Sequence, residues 1–285
     1  MEELRSKKET AFEFLRENAG LFACPICSAP LFVREPFLAC ENGHAFSMPR
    51  KGVPVLMKTQ LKKSRVYDTE LFLNRRKIIM GGHYAPVYAQ IAEFVQHCAA
   101  PRVLLDIGCG EGSHTKLIKQ ALGGGIKTLG FDISHDAISL ASDYILSSAF
   151  FFVADATRVP LTDKSVDVII DFLSPYQALE TRRVLKDDGL FIKITPNAPY
   201  LHELRDALQI SAYTGADDVM KTAGGHFSFV ASARVTSTTK LCQAEREAAI
   251  KMSPLTKERA TAALANEINE LTIDLTVTLF KKEAL

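Results

Sequence analysis

The sequence predicts an α/β fold, a doubly wound and mostly parallel sheet with a small metal-binding module ahead of it. Three observations carry this. From residue 101 onward, short apolar runs that read as buried strands alternate with segments of helical period. The first run, Val103–Ile107, turns through Gly108, Gly110 and Gly112 into a helix, and four metal-type ligands, Cys24, Cys27, Cys40 and His44, are bunched upstream.

The chain has 285 residues, 47% hydrophobic and 24% charged, which suits a soluble protein with one large and one small domain. No apolar run approaches membrane-spanning length, and residues 1–18 are too charged for a signal peptide, so a cytoplasmic location is expected. In that reducing compartment, clustered cysteines are better explained by metal than by disulfides. Net charge is +1, but residues 1–80 carry 14 Lys+Arg against 9 Asp+Glu, so the basic excess sits beside the cysteine cluster, where an RNA-facing module would carry it.

Taken in order, residues 1–20 read as a polar helix or tail anchored by Phe12, Phe14 and Leu15. The pattern C-x2-C-x12-C-x3-H follows, with Leu31, Val33, Phe37 and Leu38 suited to a short hairpin between the two ligand pairs. Four protein ligands close a tetrahedral Zn²⁺ site, so the metal is expected to be structural, stabilising a module too small to bury enough apolar surface. Residues 49–63 are basic and punctuated by Pro and Gly, and read as a linker. Asp68–Met80 reads as a helix with Arg75, Arg76 and Lys77 on one side, facing either phosphates or solvent. Gly81-Gly82 breaks it, and Ala85–His97 starts another, with Tyr84 placed to cover a cofactor.

The alternating elements then run Arg102–Asp106, Ser113–Ala121, Lys127–Asp132, His135–Leu146, Phe150–Val153, Val166–Phe172, Gln177–Leu185 and Gly189–Thr195. Such alternation demands right-handed crossovers, and ligands collect at the carboxyl ends of the strands. After a helix at 199–209, residues 211–226 read as a mobile loop. Strands at His226–Ala231 and Leu271–Phe280 flank a helix near Leu255–Ile268, giving an antiparallel closing pair.

The acids argue which cofactor is bound. Asp132, 24 residues after Gly108, is where a nucleotide-binding sheet needs a carboxylate for ribose hydroxyls. The loop is G-x-G-x-G behind Asp106, not the G-x-G-x-x-G of dinucleotide binding, and with no pyrophosphate to cradle, Asp106 can face a cationic amino-acid end. On these residues the chain resembles class I S-adenosylmethionine-dependent methyltransferases. Asp155, after Phe150–Val153, fits that family's adenine-binding position. The resemblance implies cofactor contacts at Tyr84, Asp106, Gly108, Gly110, Glu111, Gly112, Ser113, Asp132, Ile133, Asp155, Ala156 and Tyr200.

The metal pattern, Asn74-Arg75-Arg76 leading to Gly82-His83-Tyr84, Asp106–Gly112, the Ser174-Pro175 turn, Arg183-Val-Leu with Asp188-Gly189, and Met252-Ser-Pro254 together resemble the RlmA family of 23S rRNA (guanine-N1)-methyltransferases. Asp171-Phe-Leu-Ser-Pro175 and the Met-Ser-Pro-Leu run look more like its RlmA(II) branch. The resemblance implies that the zinc module recognises an rRNA hairpin and that related enzymes form homodimers whose cleft takes it; the candidate substrate contacts are Arg50, Lys51, Arg75, Arg76, Ser174 and Pro175. The family tends to have His where this chain has Tyr200, with His202 two residues on. The expected domains are 1–20, a helix or tail; 21–62, zinc binding and RNA recognition; 63–100, linker helices; and 101–285, the methyltransferase.

Transfer to N1 of guanine requires that its proton be accepted. Asp171, at the end of the fourth strand, is the candidate base, with water or a carbonyl as the alternative. Phe172, Tyr176 and Tyr84 could stack on a guanine taken out of its stack. Two other readings are a small-molecule C- or O-methyltransferase with an accessory zinc module, and a zinc-stabilised RNA-binding protein with an inactive methyltransferase fold.

Overall fold

The computed structural model of the chain describes residues 5–59, 66–98, 100–146, 149–175, 177–211, 225–257, 259 and 261–283. Tyr176, most of the expected mobile loop at 211–226, and Lys62 and Lys63 of the basic linker lie outside the described residues.

Helix α1 (Lys7–Glu17) starts at a capping box in which Ser6 and Glu9 satisfy each other's backbone N–H groups. It buries Ala11, Phe12 and Leu15, while Phe14 stacks on Phe150 with ring centroids 5.0 Å apart. Three short antiparallel strands, β1 (Phe32–Arg34), β2 (Phe37–Ala39) and β3 (Ala45–Ser47), form the ribbon, with Leu31 and Leu38 buried beneath.

The expected linker is more ordered than its composition suggests. Val153 donates its N–H to Pro54 and Leu56 donates to Val153, at 2.9 and 2.8 Å, so residues 54–56 lie along an edge of the main sheet. Pro54 fits there because an edge position does not require its missing donor. Phe22 meets Phe150 and Phe152 edge-on, and α1, ribbon and sheet share one hydrophobic cluster.

Helix α2 (Thr69–Met80) is capped by Asp68, whose carboxylate accepts from Leu71 N–H at 3.0 Å, and α3 (Ala85–Val95) follows the Gly81-Gly82 break. The main sheet comprises β4 (Val103–Ile107), β5 (Lys127–Asp132), β6 (Phe150–Val153), β7 (Val166–Phe172), β8 (Leu185–Pro196), β9 (Phe227–Lys240) and β10 (Glu270–Lys282). Their spatial order is β6-β5-β4-β7-β8-β10-β9; the first five are parallel, and β10 runs antiparallel to both β8 and β9. The order reverses between β4 and β7, so the strand ends there open a crevice. Helices α4 (Ser113–Ala121), α5 (His135–Ala141), α6 (Ala178–Val184) and α7 (His202–Ala207) connect or cover the strands.

Several elements differ from the sequence reading. The strand expected from Gly189 already starts at Leu185, and the helix expected at 199–209 is His202–Ala207. The helix expected to reach Leu146 ends at Ala141 and continues as a 3₁₀ turn through Tyr144. Strand β9 runs 14 residues, well past Ala231, because an edge strand needs no apolar alternation: its far half carries Arg234, Thr236, Thr238 and Lys240. The helix expected near Leu255–Ile268 is two short pieces, Pro254–Lys257 and Ala262–Glu267, and an additional helix spans Gln243–Ala249. Among the described residues, no helix is long and apolar enough to cross a membrane.

Candidate active site and metal centre

Buried β4 delivers its glycine loop to the crevice, and the glycines serve different ends. A Cβ on Gly108, at φ +69°, would lie 2.5 Å from Ser174 Oγ, so this position lets the loop abut the turn after β7. A Cβ on Gly110, at φ +57°, would meet nothing nearer than Phe72 at 3.9 Å, so this position opens on space. Gly112 instead packs behind the loop, where a Cβ would approach Phe151 and Ala141.

That space is a cavity of about 1020 Å³. On its β5–β6 side lie Gly108, Gly110, Glu111, Asp132, Ile133, Asp155 and Ala156. Asp132 accepts Gly110 N–H at 3.0 Å and Ser134 N–H at 2.8 Å, which leaves further lone pairs for ligand hydroxyls. Toward the β7 end lie Arg75, Tyr84, His114, Phe172, Leu173, Ser174, Pro175, Tyr200, Met252 and Ser253. His114 stacks on Phe172 at 3.9 Å and shares a 2.8 Å hydrogen bond between Nδ1 and Tyr88 Oη. Burial, with the Arg75 charge nearby, pushes its pKa down to about 3, so the imidazole is neutral.

Several residues expected at the site stand behind it. Asp106 lies beneath the loop and not on the cavity wall. It is fully buried, Oδ2 accepts from Thr115 Oγ1, and Oδ1 has no hydrogen-bond partner among the described residues. Burial, followed by the charges of Asp171 and Asp132, raises its pKa to about 7 against the pull of the Thr115 bond. Ser113 is buried against Glu111 and Tyr144. Arg76 is taken up internally, with Nε 2.7 Å from Glu111 and Nη1 3.0 Å from Asp143, so it is a structural cation and not a free phosphate contact.

Asp171 is also off the wall. Its Oδ1 accepts from Lys193 Nζ at 2.6 Å and from Ser174 N–H and Oγ at 3.1 and 3.0 Å, and its side chain is fully buried. Burial raises the carboxyl's pKa and the ammonium pulls it back. Arg50 and Lys51 are exposed outside the cavity, with Lys51 reaching Ser139 Oγ. Tyr84 and Tyr200 both line the cavity, whereas His202 does not.

The metal ligands meet as their spacing requires. One atom from each of Cys24, Cys27, Cys40 and His44 lies within 4.8 Å of the others. Cys27 and Cys40 sulfurs are 3.7 Å apart, and His44 Nδ1 is 3.6 and 3.4 Å from the sulfurs of Cys24 and Cys40. Tetrahedral zinc with its usual bond lengths needs sulfur–sulfur and sulfur–nitrogen separations of about 3.8 and 3.5 Å. The Asn42 amide, 3.3 Å from Cys27 Sγ, helps pull that thiol down to about 6, toward the thiolate a metal binds.

Residues 22–65 match a family model described as the RlmA N-terminal zinc ribbon, and residues 101–248 match one described as a methyltransferase domain. YxjB of Bacillus subtilis, described as a candidate 23S rRNA (guanine-N(1)-)-methyltransferase, is 31% identical over 285 residues, covering 92% of this chain and 98% of its own. The chain belongs to the RlmA methyltransferase family. Another relative, the 23S rRNA (guanine(748)-N(1))-methyltransferase of Streptomyces fradiae, is 29% identical over 265 residues, or 90% of this chain and 93% of its own.

The RlmA-family cofactor is S-adenosylmethionine, and the residues present fit it: an open Gly110, the Asp132 carboxylate, and apolar Ile133 and Ala156 on the same wall. The zinc is structural, since all four ligands are protein groups. Sequence reasoning missed His114, Tyr67 and Phe72, which line the cavity, and Lys193, which holds Asp171 behind it. The available signals were a histidine one residue into the helix after the glycine loop and a lysine in the otherwise apolar run Leu190–Ile194. Met252, uninformative in sequence, uses its carbonyl to hold Arg75 through Nε and Nη2 at 3.4 and 3.2 Å.

Proposed function

We propose that this enzyme methylates N1 of a guanine in a 23S rRNA hairpin loop, with the specificity of the RlmA(II) branch. The observation that carries this reading is one cavity with two chemically different ends in a chain whose zinc ribbon packs against the same sheet. Asp132, Asp155, Ile133 and Ala156 hold the cofactor's nucleoside, while Gly110 lets backbone approach its amino-acid portion. S-adenosylmethionine supplies a methyl group already activated by the sulfonium, so positioning the acceptor does most of what is needed. The guanine enters between Tyr84, Phe172 and the Ser174-Pro175 turn, and Arg75 faces its phosphate. The ribbon, with Arg50 and Lys51 beside it, grips the hairpin, and two copies of the chain form the cleft that receives it.

The test is incubation with labelled S-adenosylmethionine and 23S rRNA lacking its own modification, followed by primer extension. A methyl on N1 occupies the Watson–Crick edge, so a new strong stop at a single loop guanine is expected. Label without a stop, or no label in RNA, overturns the reading. A small-molecule methyltransferase would leave the ribbon and its basic flank without a task, and it predicts only weak RNA binding with no preference for the hairpin.

A further inference from the structure

Lysine is rare in the interior of a parallel sheet, yet Lys193 sits on β8 among Phe191, Ile192 and Ile194, all fully buried. Its partner across the ladder, in direct register on β7, is Asp171. The two side chains keep 7% and 0% of their exposure and meet at 2.6 Å. Lys193 Nζ also donates to the carbonyl of Ser174. Asp171 Oδ1 receives Ser174 N–H and Oγ, and that hydroxyl also lies 2.9 Å from the Ile107 carbonyl on β4.

These bonds converge on one strained turn. Leu173 is held at φ +56°, left-handed backbone that a leucine adopts only when its surroundings enforce it, and Ser174 presses against Gly108. Leu173, Ser174 and Pro175 all line the cavity, whereas Asp171 and Lys193 do not. The ion pair can therefore act on an acceptor only through the turn.

We propose that Asp171 and Lys193 are a positioning pair, fixing the Leu173–Pro175 wall against which the methyl-accepting base is placed, and that Asp171 does not take the base's proton. The inference rests on the proposed function for the identity of the acceptor. Removing one partner of a buried pair leaves an uncompensated charge, whereas removing both charges is tolerated. The pair Asp171→Asn with Lys193→Gln is suited to this, because Asn Oδ1 can still accept from Ser174 and the Gln amide can still donate to the Ser174 carbonyl while no charge remains.

The experiment compares single-turnover methylation of prebound rRNA hairpin by wild type, Asp171→Asn, Lys193→Gln and the double variant, with the KM for RNA and calorimetric binding of S-adenosylhomocysteine. Each single variant should lose tenfold or more in rate, with KM for RNA changed less than threefold. The double should return to within about fivefold of wild type and bind S-adenosylhomocysteine as wild type does. Having no unpaired charge, it remains the deciding protein if a single variant does not fold. A double variant that stays a hundredfold slow or fails to fold overturns the proposal, as do single variants within twofold of wild type. If wild type itself leaves guanine N1 unmodified in this assay, the functional reading fails instead.

Discussion

The hydroxyls of Tyr84 and Tyr200 lie 2.8 Å apart on the cavity wall, although 116 residues separate them in the chain. Burial raises both phenols above their usual pKa, so the contact is between neutral groups, one donating and one accepting. Tyr84→Phe or Tyr200→Phe orphans the other hydroxyl and should cost about 1–3 kcal/mol in urea unfolding. The double variant should cost less than the sum of the singles. Strict additivity would mean that the two tyrosines act separately.

Neighbouring Arg75 and Arg76 should respond in opposite ways. Arg75 leans over the Phe72 ring and, among the described residues, hydrogen-bonds only the Met252 carbonyl, so its charge is available to a phosphate. Arg75→Met should reduce the slope of log affinity against log salt by about one for the rRNA hairpin, leaving S-adenosylhomocysteine binding unchanged. Weakened cofactor binding with an unchanged slope would instead place Arg75 at the cofactor end. Arg76→Met should leave the slope alone but destabilise the fold by about 3 kcal/mol, because Glu111, 2% exposed, loses its partner.

Asp106 gives the stability a pH dependence of known sign. Its pKa is about 7 in the folded chain, above the ordinary carboxyl value of 3.8, so the native state binds a proton that the unfolded state has lost. Its stabilising contribution is complete below about pH 4, declines as pH rises, and is gone above about pH 7. Urea unfolding from pH 5 to 8 should show wild type losing stability relative to Asp106→Asn up to about pH 7, then running parallel to it. Parallel curves throughout would show that Asp106 is ionised across the range.

Zinc should stabilise far more than the ribbon. Phe22, beside Cys24, packs against Phe150 and Phe152, so loss of metal order reaches β6. One zinc per chain is expected by chelator-dye titration. Cys40→Ser should cost about 4 kcal/mol or more, on the order of 10 °C in melting temperature, in the methyltransferase transition itself. A lone low-temperature transition with the main one unmoved would uncouple the two.

The sequence was most legible where short-range chemistry dictates structure. The glycine loop, the carboxylates at successive strand ends and the C-x2-C…C-x3-H spacing each imply their own geometry, and α4, β5, β6 and β7 fall at the residues read for them. Contacts made across the sheet left little trace. Lys193 reads as an interruption in Leu-Phe-Ile-Lys-Ile until Asp171 is seen beside it, and Asp171 reads as a free strand-end acid until Lys193 is. A polar edge gives no hydrophobic signal for the far half of β9, and Pro54 hides the extended strip at residues 54–56 that borders the sheet.

The strip at residues 54–56 and the aromatic seam beside it bear on how such a protein can be rebuilt. The gap between the two matched segments, 65 to 101, looks like a joint where cassettes from relatives could be swapped. It is not one, because the front segment supplies part of the back segment's interior, and a chimera cut there would set Phe150 and Phe152 against a stranger's surface. Exchange between family members would have to carry β6 along with the ribbon.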